Sequence, residues 1–157
     1  MYLKHSECGR HYYISPYLYK KRTKLNQETC IFCNPKGNHS FSLAEKRMIS
    51  MVGELSKHPI TPNFSVGRLN IDCYVPALKL GFELYGDSIH GNPKKYFSNE
   101  TVVVNNKRFS VAALWKKNSA REYTIRKNGI KLVIIWESDM KKKEEDIKKF
   151  IQYYLER

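Results

Sequence analysis

Apolar and polar positions change period several times along this chain, and each change marks an element. From Asn70 to Val75 the order Asn-Ile-Asp-Cys-Tyr-Val alternates polar and apolar, the period of a strand with one buried face. Pro76 lacks a ladder N–H and ends that strand. Leu80 to Tyr85 is a second strand-like run, stopped by Gly86-Asp87. Together Asn70–Pro93 reads as a β-hairpin followed by a glycine loop. Ser42-Leu43-Ala44-Glu45 is a capping box, and Ala44, Met48, Met51, Val52 and Leu55 follow at helical spacing. Pro59 to Val66 reads as loop leading into a short strand, and Ser98–Asn106 is ambiguous, since Asn105-Asn106 cuts short the strand-prone Thr101–Val104.

A helix from about Lys107 to Asn128 ends at Gly129 and places Val111, Leu114, Trp115, Asn118, Glu122 and Ile125 on one face. Arg121, Arg126 and Lys127 fall on its other faces, toward solvent or phosphate. Ile130–Glu137 is nearly continuously apolar and reads as a central strand buried on both faces. A last helix, about Lys141 to Glu156, buries Ile147, Phe150, Ile151, Tyr154 and Leu155. The order predicts an α/β fold, a sheet with helices on both faces.

The first third has a different grammar. His5-x2-Cys8 and Cys30-x2-Cys33 are two ligand pairs that can present a tetrahedral Cys3His set to one Zn2+, with His11 close enough to His5 to replace it. The segment is too small to fold on a core of its own, so metal would supply the missing stability. Between the pairs lie several tyrosines and the basic cluster Lys20-Lys21-Arg22, suited to gripping DNA phosphates and stacking on bases. Asn34–Ser40 is a linker by composition, which divides the chain into residues 1–40, a zinc-ribbon-like module and linker, and 41–157.

Charge narrows the partner. Lys and Arg number 28 against 15 Asp and Glu, a net charge of +13, which points to nucleic acid. With no long apolar run, signal-peptide pattern or lipidation motif, a cytosolic protein that does not engage a membrane is expected, and in that reducing compartment the four cysteines favour metal or core roles. Lys94 and Lys95, after the glycine loop, are a second candidate DNA-contacting edge.

Three residues of the hairpin region carry chemistry. Asp72 and Glu83 on neighbouring strands, with His90 in the loop beyond, can hold a divalent cation beside a proton-transfer group. The alternative is two solvent-face strand acids and a loop histidine. Asn118 lies seven residues after Val111 and seven before Ile125, so it points inward and requires partners, as a satisfied core amide or as part of a site.

Asp72–Pro76, Leu80–Gly86, His90-Gly91-Asn92-Pro93 and Gly129–Glu137, in that order, resemble the very-short-patch-repair (Vsr) endonuclease family of the PD-(D/E)XK superfamily, and most closely its phage-type homing endonucleases. The resemblance spans roughly residues 42–137, and the Cys/His pairs ahead of it resemble the amino-terminal module of phage members. It implies a restriction-endonuclease-like mixed sheet flanked by helices and a Mg2+-dependent, site-specific endonuclease acting on double-stranded DNA, in the cytoplasm of a phage or mobile-element host. Asp72 and Glu83 match the metal-binding acids, His90 the proton-transfer histidine, and Glu45 the first-helix glutamate, which the capping box alone also explains. Asn118 stands where many members have an aspartate, and Tyr85 where the superfamily has a lysine. One active site per chain cuts one strand per encounter, so a double-strand break would need a DNA-induced dimer or two nicks by a monomer. The competing readings are a catalytically weak DNA-binding protein of the same fold and a mismatch-specific repair nickase.

Overall fold

Short-range sequence chemistry accounts for most elements of the computed structural model, which describes residues 1–30, 33 and 42–157. The expected linker Asn34–Ser40 lies outside the described residues. The chain divides into two compact units, Met1–Ser42 and Leu43–Arg157.

The first unit is a ββα arrangement. Strands β1 (Tyr2–Lys4) and β2 (His11–Tyr13) pair antiparallel, and helix α1 (Pro16–Lys24) follows. Ser15 caps α1, its side chain accepting from the Leu18 N–H, and Pro16 occupies the first turn, where a missing N–H costs nothing. Its small core joins Tyr12, Ile14 and Cys30, with Leu3, Leu18 and Tyr19 packed around them.

The second unit is a mixed α/β layer structure. Its four-stranded sheet has the order β3 (Thr61–Val66), β4 (Leu69–Val75), β5 (Leu80–Tyr85), β8 (Lys131–Trp136). The first three strands are antiparallel neighbours, whereas β5 and β8 are parallel. Parallel pairing requires a crossover. Here it contains the short helix α3 (Asp87–His90), a hairpin of β6 (Thr101–Val104) and β7 (Lys107–Ser110), and helix α4 (Val111–Lys127). Helix α2 (Leu43–Leu55) precedes the sheet and α5 (Glu144–Leu155) follows it. Met48, Met51 and Val52 of α2 and Ile147 and Ile151 of α5 cover one face, over Cys73, Val75, Leu80, Phe82, Val133 and Ile135. Ile125 of α4 covers the other, over Ile71, Tyr74 and Leu132. The α/β sheet flanked by helices is therefore as the periodicity predicts.

Several expectations need correction. β8 ends the sheet's strand order and is not central; helices on both faces account for its apolar run. The crossover helix starts at Val111, because Lys107–Ser110 pairs with Thr101–Val104 across Asn105-Asn106, both in the left-handed region that tight hairpins use. Ser110 then caps α4 by accepting from the Ala113 N–H. Phe150, expected inside, is 42% exposed.

The sheet carries one local irregularity. In the β3–β4 ladder Pro62 pairs with Cys73 and Phe64 with Ile71, but Asn63 and Asp72 between them do not pair. Asn63 is in the left-handed region, with φ 50°. The β4–β5 ladder runs from Val75↔Leu80 to Cys73↔Phe82 and stops there. Both ladders thus lapse at Asp72. The distortion also changes faces: Cys73 and Val75 look toward α2 and α5, whereas Ile71 packs in the α4 layer. Interruptions of this kind re-aim side chains and are common beside functional sites.

Candidate metal centre and polar cluster

Two constellations emerge, one in each unit. In the first, the ligand atoms of His5, Cys8, Cys30 and Cys33 all lie within 4.8 Å of one another. His5 Nδ1 is 3.1 Å from Cys8 Sγ and 3.5 Å from Cys33 Sγ, and Cys8 Sγ is 3.8 Å from Cys30 Sγ. Zinc bonds of ~2.3 Å to sulfur and ~2.0 Å to nitrogen put tetrahedral ligand atoms about 3.5–3.8 Å apart, so the four side chains fit a Cys3His zinc site. His11 is not among them; its ring stacks on Tyr2.

The shell around this site is built from the same short sequence. Glu28 Oε2 lies 3.1 Å from His5 Nε2, while Glu28 Oε1 accepts the Cys30 N–H at 2.8 Å. One carboxylate therefore orients two ligands, and it fixes the His5 tautomer that offers Nδ1 to a metal. A backbone hydrogen bond from Arg10 holds the Cys8 thiol down to about 7, favouring the thiolate a metal needs. Arg22 also belongs here, which corrects its assignment to DNA. It is 1% exposed, and its Nη1 donates to the carbonyls of Glu28, Thr29 and Cys30, bracing the second ligand pair. Lys20 and Tyr17 remain exposed on α1, and Lys21 is half-buried.

The second constellation gathers where the β4 ladders lapse. Asp72 is buried, and its Oδ2 accepts the Leu84 N–H at 2.9 Å. Glu83, on the neighbouring strand, is buried and bound by Arg121 of α4, whose Nη2 reaches Glu83 Oε1 and the Asn70 carbonyl. Arg121 is thus a half-buried partner in the cluster, paired with Glu83, not a solvated cation. The signal was its position three residues after the inward Asn118.

His90 ends α3, and Gly91 lets the chain turn away in the left-handed region. The His90 ring stacks face to face on Tyr85, with centroids 3.9 Å apart. Its Nδ1 is 2.9 Å from Asn118 Oδ1, and Asn118 Nδ2 donates to the His90 carbonyl at 2.8 Å. The second bond fixes the amide's orientation. The first then requires Nδ1 to carry the proton, leaving the lone pair on Nε2. Burial holds the His90 pKa below its usual value, so the ring is neutral near pH 7. Burial and nearby Glu83 push the Tyr85 hydroxyl the other way.

A buckle fixes this loop from behind. Asp87 Oδ1 accepts from Asn92 Nδ2 at 2.6 Å and from Ser138 Oγ at 3.0 Å, and Lys95 Nζ meets Asp87 Oδ2 at 2.6 Å. Lys95 is therefore committed to holding the His90 loop. Lys94 is more exposed and 3.4 Å from Asp139. Glu45 sits half-buried in the first turn of α2.

Asp72 and Glu83 offer the hard oxygen donors that Mg2+ prefers, and one or two carboxylates plus phosphate oxygens satisfy that ion. Among the described residues, however, Glu45, Asp72, Glu83 and His90 do not form a group of three or more ligands within 4.8 Å, as the amino-terminal set does. No helix of the described residues is long and apolar enough to cross a membrane. The chain matches no protein-family model, no curated protein and no solved structure.

Proposed function

We propose that the chain is a Mg2+-dependent DNA endonuclease, a Vsr-like nuclease domain of the restriction-endonuclease-like type carrying a zinc-stabilised amino-terminal module. The reading rests on His90, a neutral histidine whose Nδ1 is engaged by Asn118, whose Nε2 keeps its lone pair and whose ring feels the charge of Asp72. Such a ring is prepared to take a proton near neutral pH. Asp72 and Glu83 would hold Mg2+, which when bound would polarise the phosphate and acidify the attacking water. As the water oxygen forms its new bond to phosphorus and the bond to the leaving oxygen breaks, His90 Nε2 takes the water's proton and the leaving oxygen takes one from solvent. Asn118 cannot act as a base; it orients the imidazole. Lys20, Lys21 and the net charge of +13 supply affinity for duplex DNA.

Cleavage of plasmid and phage duplex DNA with and without Mg2+ tests this reading. Wild type should nick or cut only with the metal, Asp72→Ala should abolish cleavage, and DNA binding should weaken steeply with salt. Retained cleavage in Asp72→Ala would overturn the metal assignment. A second reading, a DNA-binding protein of weak or no activity, draws on the Glu83–Arg121 ion pair, which occupies an expected metal ligand. Tight duplex binding without cleavage by wild type would favour it.

A further inference from the structure

The Glu83–Arg121 pair is costly to build. Glu83 Oε1 is 2.5 Å from Arg121 Nη2, and the two side chains are 4% and 24% exposed. Desolvating a carboxylate and a guanidinium costs several kcal/mol per ion, and a buried pair is weak support for a fold by itself. α4 also packs on the sheet through Ile125, against Leu132 and Tyr74, while Arg121 Nη2 reaches the Asn70 carbonyl as well as Glu83. The guanidinium is also placed centrally. Its charge acts on Glu83, Tyr85, Asp72 and His90 together. The ring of Tyr85 supports His90 within the same cluster.

We infer that Arg121 is the site's resident cation: it neutralises Glu83 while no divalent ion is bound, yields that carboxylate to the ion, and then pairs with the phosphate being attacked. The inference rests on the nuclease reading for its last step only. The Arg121 guanidinium sits on Glu83, the carboxylate a divalent ion would have to use, and opposes the ion with its own positive charge. Divalent affinity is thereby depressed until a DNA phosphate arrives and offers the guanidinium another partner. A planar, permanently charged fork suits both partners, because carboxylate and phosphate present similarly spaced oxygens. Cation binding and DNA binding would then reinforce each other.

Divalent binding without DNA is the direct test, read by electron paramagnetic resonance of added Mn2+ on the full chain loaded with zinc. Arg121→Met should bind Mn2+ about tenfold tighter than wild type, since one opposing charge is gone. Arg121→Lys should stay near wild type, and Glu83→Gln should lose the site whether or not Arg121 is present. On DNA with Mg2+, Arg121→Met should cleave about a hundredfold more slowly. A purely structural arginine gives the opposite first result: Arg121→Met would bind Mn2+ no tighter, and that overturns the inference. Should Arg121→Met be poorly folded, its melting temperature must rise more than wild type's on adding Mn2+; an equal or smaller rise also overturns it. If wild type cuts no DNA while the Mn2+ ranking holds, the nuclease reading fails and the charge competition stands. If wild type cuts DNA and the Mn2+ ranking fails, the reverse is concluded.

Discussion

The two units solve the stability problem in opposite ways. The second buries two apolar layers against a sheet, with Met48, Phe82, Val133 and Ile151 at the centre of the larger one. The first has Tyr12, Ile14 and Cys30 as its buried centre, and one of those three belongs to the His/Cys group that could hold a metal. The difference also divides polar side chains by role. In the first unit buried polar groups such as Arg22 and His5 serve the ligand loops. In the second, Asp72 is buried where the β4 ladders lapse and accepts the Leu84 N–H, Glu83 pairs with Arg121, and Asn118 holds His90. In the first unit buried polar groups brace a candidate metal site; in the second they gather ionisable groups around His90.

Metal removal should break the comparison most sharply. Structural zinc contributes about 10–16 kcal/mol of apparent binding energy in small modules. Chelation, or Cys30→Ala, should therefore erase hydrogen-exchange protection throughout residues 2–24, while the sheet of the second unit keeps its protection. Metal analysis should return about one zinc per wild-type chain. A protected first unit in metal-free protein would show that its small core suffices.

Phe82→Ala should have the converse effect. Phe82 is fully buried at the centre of the larger apolar layer, and its truncation should cost about 3–5 kcal/mol. Urea unfolding should show the loss in the second unit, with zinc content unchanged. A drop in zinc content would mean that the units depend on each other.

These two expectations draw on features that the sequence announces differently. The β4–β5 hairpin is legible because alternation and Pro76 are local signals, and the candidate metal ligands are legible because spacing alone brings each pair together. Arg22 reads as part of a basic run, because nothing local reveals that carbonyls six to eight residues on will bury it. Asn118 is legible as inward from its helical spacing, but its partner His90, 28 residues earlier, is set by the crossover. Arg121 is misread for the same reason: an arginine on a helix looks solvated until the sheet delivers Glu83. The β6–β7 hairpin is legible in principle, from Asn105-Asn106 between strand-prone residues.

Glu28→Gln should weaken the first unit more gently. The amide can still accept from one ligand loop but no longer pairs as a carboxylate with His5 Nε2. Losing such a supporting carboxylate typically costs 10–100-fold in metal affinity, about 1.4–2.7 kcal/mol. Competition with a chromophoric chelator measures it. An unchanged affinity would leave His5 oriented by its sulfur neighbours alone.

Asn118→Asp is the subtlest change and the most diagnostic for the second unit. Burial holds the His90 pKa below its usual value of about 6.5. Between that value and the lower folded one, the unfolded chain binds a proton that the folded chain refuses, so this residue makes stability fall as pH drops through that window. The neutral ring is also the form that can accept a proton, so wild-type cleavage should persist below pH 6.5 and decline only as the folded pKa is passed. A carboxylate at 118, against Nδ1, favours the charged ring and raises its pKa by about 1 unit or more, worth ~1.4 kcal/mol per unit. The acid limb of the pH–rate profile should move upward by that amount, with the imidazole proton signals titrating in step. If the limb stays in place while those signals shift, the proton acceptor is not His90, and the hydrogen bond between residues 90 and 118 serves only to hold the loop against α4.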